Sequence, residues 1–334
     1  MNPILIISII VAFITTYLLT LWFIKYLKAI GLIVKDQNKE SKPLIPISGG
    51  LPVLCGFILG TFVLIFLNVF LPIFSDNLLA YEEISLIFAS LCSMFIIVLV
   101  GLIDDLMIKK DKNASAGLNQ WQKPLLTLFA AIPLMVVNAG EHTLTLPFLG
   151  SVSFGWVYPL LLIPIGVIGA SNMVNMLAGF NGLETSLGIV YLTSLGIFAF
   201  VNNSPLAGTL AFIMVASLIA FLIFNKYPAK IFPGNSLTYL LGASILVTAV
   251  IGNIERAAII AAIPFFIEFF LKLRGNFKKQ SYGYGKNGKV LNTYKKEVYS
   301  IPHFFTRTGK FTEKQTVFFT VLIELFFCLL IWFI

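Results

Sequence analysis

The sequence predicts an all-α integral membrane protein, a bundle of about ten transmembrane helices. Of its 334 residues, 58% are hydrophobic and only 11% are charged, whereas charged residues make up about 25% of an ordinary soluble domain. The apolar residues form continuous runs, and a membrane-spanning helix needs roughly 17–25 of them. These runs do not show the alternation that β-barrel strands require. We therefore predict a single multi-pass membrane domain over residues 1–334.

Ten apolar runs account for the predicted helices. In chain order, they begin near Asn2, Gly49, Glu83, Pro124, Phe154, Thr185, Ser204, Ser236, Arg256 and Lys314. The first run lacks a basic segment before it and a small-residue cleavage site after it, which predicts a retained helix rather than a cleaved signal. The fifth run is the least regular, because Pro159 and Pro164 interrupt it. The stretch 272–314 is a long cytoplasmic loop, and its Gly-, Tyr- and Lys-rich part, 281–296, predicts a flexible surface.

The basic residues orient this bundle. With ten helices, alternate connections lie on the same side, and one side contains every one of the 23 Lys and Arg residues except Arg256. By the positive-inside rule that side is cytoplasmic, and both termini are non-cytoplasmic, in a cell membrane or the endoplasmic reticulum. The net charge of +8 thus reflects topology and not nucleic-acid binding, although such a face attracts anionic lipids and nucleotides. The opposite connections contain mainly acidic residues: Asp76, Glu82, Glu83, Glu141 and Glu255.

The unusual polar residues gather at the cytoplasmic ends of the runs. The stretch from Asn172 to Glu184 places three amides, two glycines and a carboxylate after an apolar run, and Asp104 and Asp105 end another run. Polar groups at the edge of the hydrocarbon region are costly unless they face a cavity, an ion or one another. Oxygen ligands without a His/Cys cluster suit Mg²⁺ better than zinc, and nearby lysines and glycine-rich turns suit a diphosphate. The sequence therefore predicts Mg²⁺-dependent phosphoryl chemistry in a site built from cytoplasmic loops.

Three motifs resemble the polyprenyl-phosphate N-acetylhexosamine-1-phosphate transferases: Gly101–Asp105, Asn172–Glu184 and Phe232–Ser236. The form of Ala178–Glu184 is closer to the archaeal and eukaryotic branch, that of the UDP-N-acetylglucosamine–dolichyl-phosphate N-acetylglucosamine-1-phosphotransferases. The bacterial cell-wall branch usually has Asp at Ala178 and a His-rich motif where this chain has only His303. The resemblance implies transfer of N-acetylglucosamine 1-phosphate from UDP-N-acetylglucosamine to a polyprenyl or dolichyl phosphate, with release of UMP. A homodimer is also compatible with it.

The resemblance implies roles for the residues around the reacting phosphates. Asp104 and Asp105 match paired catalytic aspartates near the attacking lipid phosphate, Lys123 and Asn172 match residues at that phosphate, and Asn175 matches a metal ligand. Because the second pKa of a phosphate monoester is about 6, the nucleophile is largely ionised at neutral pH and no strong general base is required. The aspartate pair is therefore expected mainly to position groups and to accept a residual proton. The cofactor implied is Mg²⁺, with Mn²⁺ as an alternative.

The resemblance also implies a nucleotide-sugar site built from four separate segments. The first cytoplasmic loop closes over the nucleotide, an aromatic side chain stacks on uracil, and the last cytoplasmic loop contacts the sugar. The matching residues are Asp36, Gln37, Gly179, Asn181, Phe232, His303 and Arg307.

Two positions depart from the family pattern. Asn235 stands where the family has a metal-binding aspartate, and Ile47 stands where a glutamate usually precedes the Gly-Gly of the second helix. With Asn175 and Asn235 as ligands, both protein ligands of the metal are neutral. These departures motivate an alternative, a non-catalytic homologue that binds nucleotide sugar or lipid. A second alternative, a multi-pass lipid transporter, would usually place polar residues near the bilayer midplane, whereas here they cluster at one face.

Overall fold

A computed structural model describes residues 3–70, 79–107, 117–146 and 150–333. Asp76 and the basic residues Lys109, Lys110 and Lys112 lie outside the described residues. The helices are α1 (Pro3–Ala29), α2 (Gly50–Phe70), α3 (Tyr81–Leu106), α4 (Gln122–Leu128), α5 (Ile132–Val136), α6 (Ile163–Met176), α7 (Leu183–Val201), α8 (Pro205–Asn225), α9 (Gly234–Gly252), α10 (Glu255–Ala261), α11 (Ile263–Arg274), α12 (His303–Thr306) and α13 (Glu313–Leu330). Three antiparallel hairpins pair β1 (Ile33–Lys35) with β2 (Leu44–Pro46), β3 (Thr143–Leu146) with β4 (Gly150–Ser153), and β5 (Tyr284–Lys286) with β6 (Lys289–Leu291).

Within the described ranges, eight helical spans are long and apolar enough to cross a membrane, which confirms the predicted fold class. Each corresponds to one predicted run, including the fifth, which continues over Tyr158–Met176 despite its prolines. The fourth and ninth runs are helical but interrupted. The fourth forms α4, a 3₁₀ turn and α5 over Gln122–Val136, and the ninth is divided into α10 and α11. Pro133 and Pro264 lie at the starts of α5 and α11, where a residue without an N–H donor is tolerated but a continuous helix is not favoured.

Helix α9 is the centre of the bundle and carries part of the site at its N-terminus. It packs against α2, α3, α6, α7 and α8, and most of its side chains are buried. Gly50 of α2 and Gly101 of α3 allow the closest approach, because a Cβ atom at either position would overlap the backbone of Ser236. The start of α9 is therefore held between two helices, which fixes the residues that follow the Phe-Pro-Gly turn.

The long loop between α11 and α13 contains the β5–β6 hairpin, which is hydrogen-bonded to other loops, and the predicted flexibility of 281–296 stays a prediction. The amide N–H of Gly283 donates to Asn38 Oδ1 at 3.0 Å, and the N–H of Asn287 donates to the Glu40 carboxylate. Asn38 also donates from Nδ2 to the carbonyl of Gly179 at 2.7 Å. The buried Asn38 side chain thus connects the first loop to the last loop and to the loop after α6. Its hydrogen bonds hold these three loops together.

Candidate active site

A cavity of about 590 Å³ opens at the end of the bundle that carries the basic loops. Its wall contains residues from every connection at this end of the bundle and from the helix ends beside them. The polar clusters in the sequence predict that these loops, although far apart in the chain, meet at one site. Eight of the predicted site residues line it: Asp36, Gln37, Lys123, Asn172, Asn175, Gly179, Phe232 and Asn235.

Asp105 lies behind the cavity wall and holds the first turn of α9. Its side chain is fully buried, and its carboxylate accepts the backbone N–H of Asn235 at 2.7 Å and that of Ser236 at 3.2 Å. Free N–H groups at a helix start need such acceptors, and a carboxylate there is favoured by the helix dipole. Gly234 has a φ of +68°, and a Cβ at this position would overlap the Asp105 carboxylate. Asp105 therefore positions Asn235 and does not itself face the cavity.

Asp104 is also fully buried and orients Lys123. One of its oxygens is 2.7 Å from Lys123 Nζ and 3.2 Å from the Tyr239 hydroxyl, and the other accepts the N–H of Leu118 at 2.6 Å. Lys123 is partly exposed and lines the cavity. The two predicted catalytic aspartates thus stand outside the cavity wall, which agrees with a positioning role. Their role as proton acceptors stays a prediction.

Thr238, which lies outside the sequence motifs, contacts both residues expected to hold the metal: the side chain of Asn175 and the backbone of Asn235. The Thr238 hydroxyl lies 3.0 Å from Asn175 Oδ1 and 3.2 Å from the carbonyl oxygen of Asn235. All three residues line the cavity. Thr238 follows Asn235 by three positions, so helical periodicity places both on one face of α9, and that spacing could have indicated it. The described residues contain no cluster of three or more His, Cys, Asp or Glu that could hold a metal.

Asn181 does not line the cavity but joins four segments in a buried network. Its backbone N–H and its Nδ2 donate to Glu313 Oε1 at 2.8 and 2.7 Å, and Nδ2 also lies 3.1 Å from Asp36 Oδ2. Its Oδ1 accepts the N–H of Ala229 at 2.7 Å and Lys39 Nζ at 3.0 Å. Because these bonds use both the donor and the acceptor of the amide, the predicted uridine contact through this side chain is not supported. Asn181 instead fixes Asp36, which does face the cavity.

His303 and Arg307 are likewise away from the cavity wall. His303 is fully buried, its Nδ1 accepts the N–H of Tyr299 at 3.1 Å, and its ring lies 5.6 Å from that of Tyr294. Burial and the positive charge of Lys272 lower the pKa of His303 to about 4, so its imidazole is neutral near pH 7. Arg307 is exposed, with its guanidinium over the Phe304 ring at 5.6 Å. In this arrangement both residues support the last loop, and their predicted contact with the sugar stays a prediction.

The cavity carries more positive than negative groups. Besides Lys123, its lining includes Lys35, Lys272 and Lys279 against the carboxylates of Asp36 and Glu184, which favours an anionic ligand. Lys272 and Lys279 belong to the predicted loop 272–314, where the positive-inside rule alone explains basic residues, so no feature of the sequence singles out either lysine.

Glu184 is the second cavity carboxylate, and one of its two oxygens is unpaired. Its Oε1 accepts the N–H of Gly179 at 2.7 Å, whereas Oε2 has no hydrogen-bond partner among the described residues. Glu184 is the last residue of the Asn172–Glu184 motif, and this position is the sequence feature that indicates it as a site residue.

A second cavity, of about 360 Å³ and almost entirely apolar, lies next to the first. We call it the apolar groove. It lies between α6, α9, α10 and α11, and ends near Leu144, Tyr158 and Glu255. Gly169 and Met173 of α6 line both the polar cavity and the groove. The polar cavity and the apolar groove therefore adjoin at these two residues of α6.

Comparison with known proteins places this architecture among membrane transferases. Residues 87–253 match the model of glycosyl transferase family 4. Two relatives, from Saccharolobus solfataricus and Sulfolobus acidocaldarius, carry the provisional name UDP-N-acetylglucosamine–dolichyl-phosphate N-acetylglucosaminephosphotransferase. The first is 36% identical over 94% of this chain and 91% of its own length, and the second 33% identical over 98% and 94%. A phospho-N-acetylmuramoyl-pentapeptide-transferase from Halalkalibacterium halodurans is 30% identical over 80% of this chain and 81% of its own length.

Proposed function

This chain belongs to glycosyl transferase family 4, and from that premise we propose that it is a membrane-embedded sugar-phosphate transferase. It transfers N-acetylglucosamine 1-phosphate from UDP-N-acetylglucosamine to a polyprenyl or dolichyl phosphate. The products are UMP and a lipid-linked diphosphate sugar. Two archaeal relatives align with this chain over nearly their whole length, and their names support this substrate pair.

The observation that carries the proposal is that the polar cavity and the apolar groove adjoin at α6. An acceptor lipid has a phosphate head and a long apolar tail, so it needs a basic site that opens into a dry channel. The shared residues Gly169 and Met173 provide that junction, and a soluble nucleotide-binding protein would have no use for it. The polar residues gather at one end of the bundle and not halfway along it, which disfavours the transporter alternative.

The residues of the cavity can then be assigned to the parts of the two substrates. Lys123, oriented by Asp104 at 2.7 Å, binds the lipid phosphate beside Asn172. Its charge offsets the negative charge that accumulates during transfer, because phosphoryl transfer depends mainly on positioning and electrostatics. Gly179 has no side chain to narrow the cavity and so leaves room for the uridine, and Phe232 offers it an aromatic face.

Mg²⁺, or Mn²⁺ in its place, would be held by the amide oxygens of Asn175 and Asn235. Two neutral oxygens on the cavity wall fit a hard cation that takes its remaining ligands from phosphates and water, as Mg²⁺ commonly does. When bound, the ion would offset charge on the diphosphate. Asp105 holds the backbone N–H of Asn235, and the Thr238 hydroxyl lies within hydrogen-bond distance of the Asn175 side-chain oxygen and of the Asn235 backbone carbonyl, so the backbone of Asn235 and the side chain of Asn175 are held close to each other.

We place the catalytic cavity on the cytoplasmic side and both termini on the other. The basic loops at the cavity end support this orientation through the positive-inside rule. Cysteine labelling would test it in a background in which Cys55, Cys92 and Cys328 are replaced by alanine. Thr293→Cys and Asn202→Cys are both exposed positions, and an impermeant reagent should label the first only from the cytoplasmic side and the second only from outside. Labelling of residue 293 from the outer face would overturn the orientation.

The central experiment uses the purified protein, UDP-N-acetylglucosamine with a radiolabelled sugar, and a polyprenyl phosphate in detergent. The expected result is Mg²⁺-dependent appearance of label in the lipid fraction with UMP in equal amount. A parallel series of UDP-sugars defines the donor. Binding of UDP-N-acetylglucosamine without any transfer, under conditions in which a related transferase is active, would favour the non-catalytic alternative that Asn235 and Ile47 suggest.

A further inference from the structure

Residue 169 occupies the junction between the polar cavity and the apolar groove. Gly169 and Met173 follow one another by four positions on α6, so they lie on the same face of the helix, and both line the two cavities. Opposite them runs α11, whose Phe265 and Phe266 line the groove and whose Phe269 lines the cavity. A tail that passes from one space to the other must pass between these helices.

No packing contact accounts for the glycine at position 169. A Cβ built there meets no heavy atom within 4 Å. One turn earlier, a Cβ at Gly166 would lie 2.6 Å from Leu246 Cδ1, and at Gly242 it would overlap the backbone of α6. Those two glycines permit close helix packing, whereas the space in front of Gly169 is open. Glycine destabilises a helix interior relative to alanine, so the fold alone would favour another residue here.

We infer that Gly169 is a specificity-determining residue for the acceptor lipid. Its missing side chain forms the passage through which the isoprene unit next to the phosphate leaves the polar cavity and enters the groove. This inference rests on the proposed function for the identity of the lipid, but it concerns binding of the acceptor and not the chemistry of transfer. The nucleotide side of the cavity, around Gly179 and Phe232, should be unaffected by a side chain at position 169.

The test compares Gly169→Ala and Gly169→Leu with the wild type. Two quantities are measured separately: binding of a polyprenyl phosphate without nucleotide, and binding of UDP-N-acetylglucosamine without lipid. We expect Gly169→Leu to weaken acceptor binding at least about tenfold, because forcing extra methylene groups into an occupied space costs on that order. Gly169→Ala should weaken it less, and neither should change nucleotide binding. Leu160→Phe, at a position that is 59% exposed and lines neither cavity, is the control for added bulk on the same helical segment.

A second variant separates blockage from damage. Met173 is the flexible side chain that shares the passage, so Gly169→Leu with Met173→Ala should recover much of the acceptor binding that Gly169→Leu loses. A misfolded protein would not be rescued by a further truncation. Wild-type acceptor affinity in Gly169→Leu, or equal losses in the alanine and leucine variants without rescue, would overturn the inference. A wild type that binds the lipid but transfers no sugar phosphate would instead contradict the proposed reaction, while the binding comparison at position 169 would still decide the passage.

Discussion

The wall of the polar cavity and the layer behind it carry different polar groups. At the expected metal position the wall offers two neutral amides, Asn175 and Asn235. The charged pair behind it, Asp104 and Asp105, is fully buried and is occupied by Lys123 and by backbone N–H groups. At this position the two buried carboxylates hold other groups in place, while the two amides that face the cavity are weak metal ligands on their own. With these two amides as ligands, most of the negative charge at the metal would come from the substrate phosphates.

The same division holds on the nucleotide side. Gly179 and Phe232 line the cavity, whereas Asn181, Lys39 and Glu313 form a buried network behind it. A buried polar network holds one arrangement only when its members are satisfied, and Asn181 uses both the donor and the acceptor of its amide here. Residues of the cavity wall should therefore affect chemistry or ligand affinity directly. Residues of the layer behind the wall should act through another side chain.

The largest effect should follow removal of the cavity lysine that pairs with the buried Asp104. Lys123→Met is expected to lower kcat/KM about a hundredfold, the scale on which loss of one preorganised electrostatic group slows transfer. The control is Lys35→Met, which removes a cavity lysine that forms no ion pair with another described residue. Steady-state transfer assays on both variants measure the difference. Equal losses in the two would show that only the total charge of the cavity matters and would remove the special role of the Asp104–Lys123 pair.

A loss of about tenfold in turnover, roughly 1.4 kcal/mol of barrier, is expected for Asp105→Asn. An amide keeps one acceptor oxygen but cannot serve both N–H groups at the start of α9, so Asn235 would move. If Asp105 acts by positioning, the Mg²⁺ concentration for half-maximal activity should rise together with the loss in turnover. A fall in turnover with unchanged Mg²⁺ dependence would instead indicate that this carboxylate takes part in proton transfer, and the division between wall and supporting layer would fail at this residue.

The sequence predicts the membrane fold well because apolar length and the distribution of basic residues act locally and additively. It does less well where a helix is broken. Pro133 and Pro264 both lie inside apolar runs that meet the length criterion, and only the packed structure shows that α5 and α11 begin there. Hydropathy counts residues over a window, so it does not distinguish one continuous helix from two short ones.

Within the site, the sequence identifies the polar residues but not the direction in which each points. Asp104, Asp105 and Asn181 were selected because polar groups are rare in this chain, and all three turn away from the cavity. Their partners are remote: Asp105 bonds to Asn235, 130 residues away, and Asn181 to Glu313, 132 residues away. A motif indicates that a residue is required. Whether that residue contacts the ligand or positions another residue that does so depends on its long-range partners. Residue type alone does not indicate Thr238 as a site residue, because a threonine on an apolar helix is common.

The role of the two neutral amides as metal ligands can be tested by replacing one of them with a carboxylate. Asn235→Asp should lower the Mg²⁺ concentration needed for half-maximal activity by roughly threefold or more, because a carboxylate binds a hard cation better than an amide does. Asn175→Ala should raise it and should reduce turnover about tenfold at fixed Mg²⁺. Metal titrations against a fixed acceptor concentration provide both values. Identical metal dependence in wild type and Asn235→Asp would place the metal elsewhere, and Glu184, with an unpaired oxygen at the cavity, would be the next ligand to test.

The smallest expected effect concerns His303, which the structure assigns to the supporting layer. Burial and the charge of Lys272 lower its pKa to about 4, whereas an unfolded chain has a histidine pKa of about 6.5. Between these values the unfolded state binds the proton more readily, so the free energy of unfolding contributed by this residue is present above about pH 6.5 and is lost as the pH falls toward 4. His303→Gln cannot titrate and should show a smaller drop in melting temperature between pH 7 and pH 5 than wild type, with an unchanged KM for UDP-N-acetylglucosamine at pH 7. A severalfold rise in that KM would show that His303 reaches the sugar during turnover, and its place would then be the cavity wall.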